Sequence, residues 1–132
     1  MLVVALSSCR KDYKFVQLQN PTKKISFASD IYPTLNSECN ISGCHSGGVA
    51  DAPPNLSSLI ASYNSLKPGL LSTYSSPNGP YVDTINVTSS ILYARINGGT
   101  VGNQMPDGGP PWLSATYINN VKQWIQQGAK NN

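Results

Sequence analysis

Apolar residues at helical spacing alternate along the chain with stretches rich in glycine and proline, and this pattern predicts four short helices. Ser29 to Leu35 (SDIYPTL) reads as the first, with Ser29 at its start and Pro33 in its first turn, where proline's missing N–H costs the helix nothing. Leu56 to Leu66 sets Leu56, Leu59, Ile60, Tyr63 and Leu66 at helical intervals and stops at Lys67-Pro68-Gly69. Ser89 to Asn97 carries Ile91, Leu92 and Ile96 behind Thr88 as its cap, and ends at Gly98-Gly99. The fourth has the clearest face: Ser114 caps it, Tyr117, Ile118, Val121, Trp124 and Ile125 share one side, and Gly128 closes it. Between the third and fourth lies GGTVGNQMPDGGPPW, an irregular loop whose prolines restrict it. The only strand-like alternation is the short YVDTINV segment.

Composition narrows the class. The 132 residues fit one domain, 39% hydrophobic and only 11% charged, with 11 glycines and 10 prolines. That is too apolar for disorder and rich in loops for a helical protein. A core of this size is marginal alone, so a covalent or cofactor staple is expected. The net charge of +3 is unevenly placed. Residues 1–24 hold Arg10, Lys11, Lys14, Lys23 and Lys24 against Asp12, whereas from residue 25 onward four bases face five acids. The globular part is nearly neutral, which argues against a nucleic-acid partner, whose binder would carry its bases on the folded domain.

The chain's first residues read as a processing signal. An apolar run ends in Leu6-Ser7-Ser8-Cys9, far short of the roughly 20 residues that span a bilayer. It resembles the end of a bacterial lipoprotein signal peptide. The expected organisation is therefore a residual signal segment over 1–8, a lipidated Cys9 with a flexible tether over 9–25, and a domain over 26–132. Acyl chains on Cys9 would anchor the protein to a bacterial membrane, at the periplasmic or cell-surface side.

The residues with chemistry are concentrated in Cys39-Asn40-Ile41-Ser42-Gly43-Cys44-His45. Two thiols followed directly by an imidazole suit covalent attachment of haem, for which the common spacing is C-x-x-C-H. Thiols that add to the two vinyl groups pin one edge of the porphyrin, and the next residue then aims its imidazole at the iron. Here four residues separate the cysteines, and Gly43 lets the extra ones loop out. The wider gap leaves a Cys39–Cys44 disulfide open as an alternative, and a zinc site as a poorer one, because one His and two Cys lack a fourth ligand. His45 is the only histidine. Apart from Met1, Met105 is the only methionine, and it sits in the proline-rich loop as a candidate second axial ligand to the same iron.

Beyond this motif the chain resembles small class I-type c cytochrome domains found in bacterial lipoproteins. The resemblance rests on Asp30-Ile31-Tyr32-Pro33-Thr34-Leu35, Cys39 to His45, Ser62-Tyr63-Asn64-Ser65-Leu66, Ser90-Ile91-Leu92-Tyr93-Ala94-Arg95-Ile96, Met105-Pro106 and Trp124-Ile125-Gln126-Gln127-Gly128-Ala129. It implies an all-α, cytochrome c-like fold of about four short helices around one covalent haem c, with the first and last helices packed together. It implies axial ligation by His45 and Met105. It also implies that the Pro54 carbonyl, or that of Pro53, accepts the imidazole N–H, that Leu56, Leu92, Ile96 and Trp124 contact the haem, and that Arg95 meets a propionate or stays an exposed helix arginine. The implied role is one-electron transfer by a monomer serving redox partner proteins. With no second histidine, no Ser/His/Asp set and no paired carboxylate motif, an enzyme is not expected. A haem-based sensor, a peroxidase-like domain and a haem-free, disulfide-stapled lipoprotein are the alternatives.

Overall fold

The computed structural model describes residues 23–49, 51–67, 79–98 and 101–132. A π-helical turn, Phe27–Ile31, runs directly into α1 (Tyr32–Glu38). After it come α2 (Leu59–Leu66), a 3-10 turn at Val87–Ser89, α3 (Ile91–Ile96) and α4 (Ala115–Gln126). Every element among the described residues is thus helical, as the spacing of apolar positions predicts. No described helix is long and apolar enough to cross a membrane. The expectations for residues 1–22, lipidation of Cys9 among them, and for the stop at Pro68-Gly69 lie outside the described residues.

The first helical stretch begins three residues earlier than its serine pattern implies. Ser26, not Ser29, is the cap: its Oγ accepts the Ser29 N–H (3.2 Å), while the Asp30 carboxylate accepts the Ser26 N–H (2.8 Å). This reciprocal capping satisfies donors a helix start otherwise leaves free. Lys23 pairs with Asp30 at 2.7 Å, and with the Ser26 N–H it holds that carboxyl below its ordinary value. Pro33 falls in the first turn of α1, as expected.

α2 is shorter than predicted. Ser58 caps it through the Ala61 N–H, so Leu56 lies outside the helix although buried, and Ile60 points to solvent with 71% of its surface exposed. α3 begins at Ile91, not at Ser89, and Thr88 does not cap it. Its first donors go elsewhere: Ile91 and Leu92 donate to the Pro80 and Tyr81 carbonyls (both 3.1 Å). The YVDTINV segment therefore forms no strand. It lies across the start of α3, with Asp83 fastened to Ser90 Oγ (2.8 Å). α4 matches its prediction: Ser114 accepts the Tyr117 N–H, Tyr117, Val121, Trp124 and Ile125 are buried, and Gly128 closes the helix at φ +93°.

One core joins these pieces. Phe27, Ile31 and Leu35 pack with Leu66, Val82, Ile96, Val121, Trp124 and Ile125. The Phe27 ring stands edge-on to Tyr63 (5.3 Å, 70°) and tilted on Trp124 (5.1 Å, 33°). Hydroxyl groups then tie distant parts of the chain together, Tyr117 donating to the Ile31 carbonyl (3.1 Å) and Tyr63 to that of Ala129 (3.0 Å). Gln127 accepts the Ile25 N–H (2.9 Å) and donates to the Lys23 carbonyl (3.0 Å), so the last residues of the expected tether are docked on α4. The first and last helical stretches pack together, as the sequence implies.

Candidate functional site

α1 ends where the cysteine segment begins. Cys39 caps the helix, its N–H on the Leu35 carbonyl (3.0 Å), and Asn40 donates to the same oxygen (3.1 Å). The chain then turns tightly, with Cys44 donating to the Ile41 carbonyl (2.9 Å). Gly43 turns the chain there at φ +83°, a conformation that suits glycine, and a side chain at that position would meet open space. The extra residues between the cysteines do loop out.

The segment after His45 folds back on the motif. Ala52 donates to the Cys44 carbonyl (2.9 Å) and Leu56 to the His45 carbonyl (2.8 Å). The Asp51 carboxylate gathers the rest. It accepts the N–H groups of Gly43 and Gly48 (2.9 Å each) and the hydroxyl of Ser46. The Ser46 hydroxyl first, and the Gly48 N–H next, hold its pKa below the ordinary carboxylate value. Asp51 thus bonds on both sides of Cys44-His45. Sequence reasoning missed it, although an acid following Ser46-Gly47-Gly48 is a usual way to satisfy turn donors.

The decisive contact is that of His45 Nδ1 with the Ala52 carbonyl, at 2.8 Å. A carbonyl only accepts, so Nδ1 carries a proton, and in the neutral ring Nε2 is the nitrogen whose lone pair a metal could use. The acceptor is Ala52 and not Pro54 or Pro53, because the loop closes back two residues before Pro54. Pro54 is half-buried and its carbonyl has no role at the imidazole. Leu56, at 3% exposure, belongs to the core beneath the loop.

The two thiols differ in setting. Cys39 is half-buried against the core and Cys44 is exposed; neither forms a disulfide. Burial first, then Glu38 and Cys44, pushes the Cys39 thiol up to about 11. The Tyr117 hydroxyl is also pushed up, by its burial and then by Cys39.

Arg95 and Met105 form a second cluster. Met105, half-buried, donates its N–H to the Arg95 carbonyl at 2.9 Å. The Arg95 guanidinium donates to the Asn103 carbonyl (3.0 Å), so it is engaged with the loop and not free on the helix surface. Both clusters rest on one core: Cys39 packs against it from one side, and Leu56, Leu92, Ile96 and Trp124 are members of it. Compared with protein-family models, with curated proteins and with solved structures, the chain finds no match.

Proposed function

We propose that this protein is a c-type cytochrome of cytochrome c-like fold, with one haem c bonded to Cys39 and Cys44 and ligated by His45 and Met105. It acts as a one-electron carrier for redox partner proteins, as a monomer tethered through Cys9 to a bacterial membrane at its periplasmic or outer face. The observation that carries this reading is the His45 Nδ1 to Ala52 hydrogen bond at 2.8 Å, which leaves Nε2 as the ligating nitrogen of a histidine that directly follows Cys44 in a segment with two unbonded thiols. That donor set, two thiols and one oriented imidazole, fits haem c.

Bound haem supplies the iron whose oxidation state changes. The chain's own residues do the remainder. The Ala52 carbonyl orients the imidazole, as the partners of metal-ligating histidines do. Asp51 holds the peptide on either side of His45, so the ring has little freedom to turn away. Met105 would supply a thioether to the iron, which favours the reduced state. If His45 and Met105 both held the iron, no position would be left for a substrate, which favours a carrier over an enzyme.

A redox titration of protein matured with haem, together with carbon monoxide binding, tests the proposal. A single one-electron wave is expected, with a ferrous form that takes up carbon monoxide only when Met105 is replaced. Ready binding by the unmodified protein would overturn the carrier reading in favour of a sensor or peroxidase-like domain.

A further inference from the structure

We infer that Arg95 is the positioning residue for Met105, gripping the methionine loop at two points; the inference rests on reading Met105 as an axial ligand. A short helix leaves its last carbonyls without partners. α3 ends at Ile96, and the loop from Gly102 to Met105 supplies what its end lacks. Arg95 accepts the Met105 N–H (2.9 Å), and the Gln104 side chain donates to the Ile96 carbonyl at a longer 3.5 Å. The side chain of the same arginine returns to the loop, Nη1 donating to the Asn103 carbonyl at 3.0 Å. Main chain and guanidinium of one residue therefore fix two carbonyl or amide groups only two positions apart.

The fit at Gly102 shows how closely the guanidinium lies on the loop. A Cβ at Gly102 would stand 2.6 Å from Arg95 Cζ and 2.7 Å from both terminal nitrogens, closer than such atoms ever approach. The position also holds φ +71°, which suits glycine. Gly98 has a similar part at the helix end, where a Cβ would come within 3.2 Å of Gln104 Oε1. Two glycines thus make room for the side chains that bind helix and loop together. A loop held in this way presents Met105 with little entropy left to lose, so the thioether competes well against free ligands. A propionate contact would use Arg95 as a counter-ion. The grip described here uses it as a clamp, and the two roles differ in their consequences.

The test is imidazole binding to the ferric, haem-loaded full-length protein, followed by the loss of the methionine–iron absorption band. Arg95→Gln keeps the stem and removes the charged donor, and about tenfold tighter imidazole binding is expected from losing one charge-assisted bond. Gly102→Ala displaces the guanidinium without removing a charge and should act in the same direction. Arg95→Lys should fall between. Hydrogen exchange at the Met105 N–H should quicken in Arg95→Gln. In a Met105→Ala background Arg95→Gln should leave imidazole affinity unchanged, because its effect runs through the methionine. Unchanged affinity in both Arg95→Gln and Gly102→Ala, or an equal change with Met105 absent, would overturn the inference while leaving the carrier reading intact. An unmodified protein lacking the methionine–iron band would instead overturn Met105 as ligand, and the inference with it.

Discussion

Replacing Tyr117 by Phe removes one oxygen atom and tests how α1, the helix that delivers Cys39, is fastened to α4. The hydroxyl is buried and donates to the Ile31 carbonyl at 3.1 Å, at the junction of the π-helical turn with α1. The ring itself is kept, so no cavity forms and the loss is that of one buried hydrogen bond. Such a bond contributes about 1 kcal/mol net. For a domain of this size that lowers Tm by about 4 °C. Urea unfolding at neutral pH should show a lower midpoint with an unchanged slope, the mark of altered stability and not of altered compactness. The alkaline side gives a second check. Burial first, and then Cys39, raises the Tyr117 pKa above its ordinary value of 10.0 in the folded state. The unfolded chain therefore releases this proton first, and the native protein loses stability as pH rises past 10, whereas the Phe variant has no such proton to lose. The difference between the two should narrow above pH 10. Equal stability at neutral pH, or a gap that stays constant into alkali, would refute this account of the helix junction.

Five further outcomes are expected. Asp51→Asn should be less stable than the unmodified protein at neutral pH, and the difference should vanish in acid, since a depressed carboxylate pKa stabilises above its unfolded value and ceases to do so as pH falls through the folded one; acid unfolding followed by circular dichroism would measure it. In folded, haem-free protein at pH 8, a thiol held at about 11 is a thiolate only about one part in a thousand, so iodoacetamide should label exposed Cys44 well before Cys39, as peptide mass mapping would report. Ser114→Ala should cost about 1 kcal/mol through the lost cap on α4, Leu66→Ala about 2–5 kcal/mol, and Ile60→Ala less than about 0.5 kcal/mol, all by urea unfolding.

The parts of this fold legible in the sequence are those in which local signals agree. α4 has a capping serine, an apolar face and a closing glycine, and it forms where these predict. α3 starts later than its spacing predicts because tertiary partners replace a local cap: the carbonyls of Pro80 and Tyr81 take its first donors, and no periodicity in α3 itself encodes them. Ile60 matches the helical spacing of Leu66 but faces solvent, since α2 begins at Leu59 and turns its buried face through Ser62, Ser65 and Leu66. In the candidate site, Cys39, Cys44, His45 and Met105 are visible as rare residues in a telling order. The acceptor for His45 is not, because the chain folds back through Asp51 to Ala52, seven residues on, and the length of that excursion is set by its closure. Arg95 is legible as a helix residue, while its grip on Asn103 depends on where a glycine-rich loop returns.

The most direct test of the central claim is the mass of the denatured full-length protein after production in cells with a c-type maturation system. The account predicts a gain of one haem, retained through denaturation and lost when Cys39 and Cys44 are both replaced by alanine. A colourless protein with the mass of the bare chain, or haem that washes out on unfolding, would contradict it.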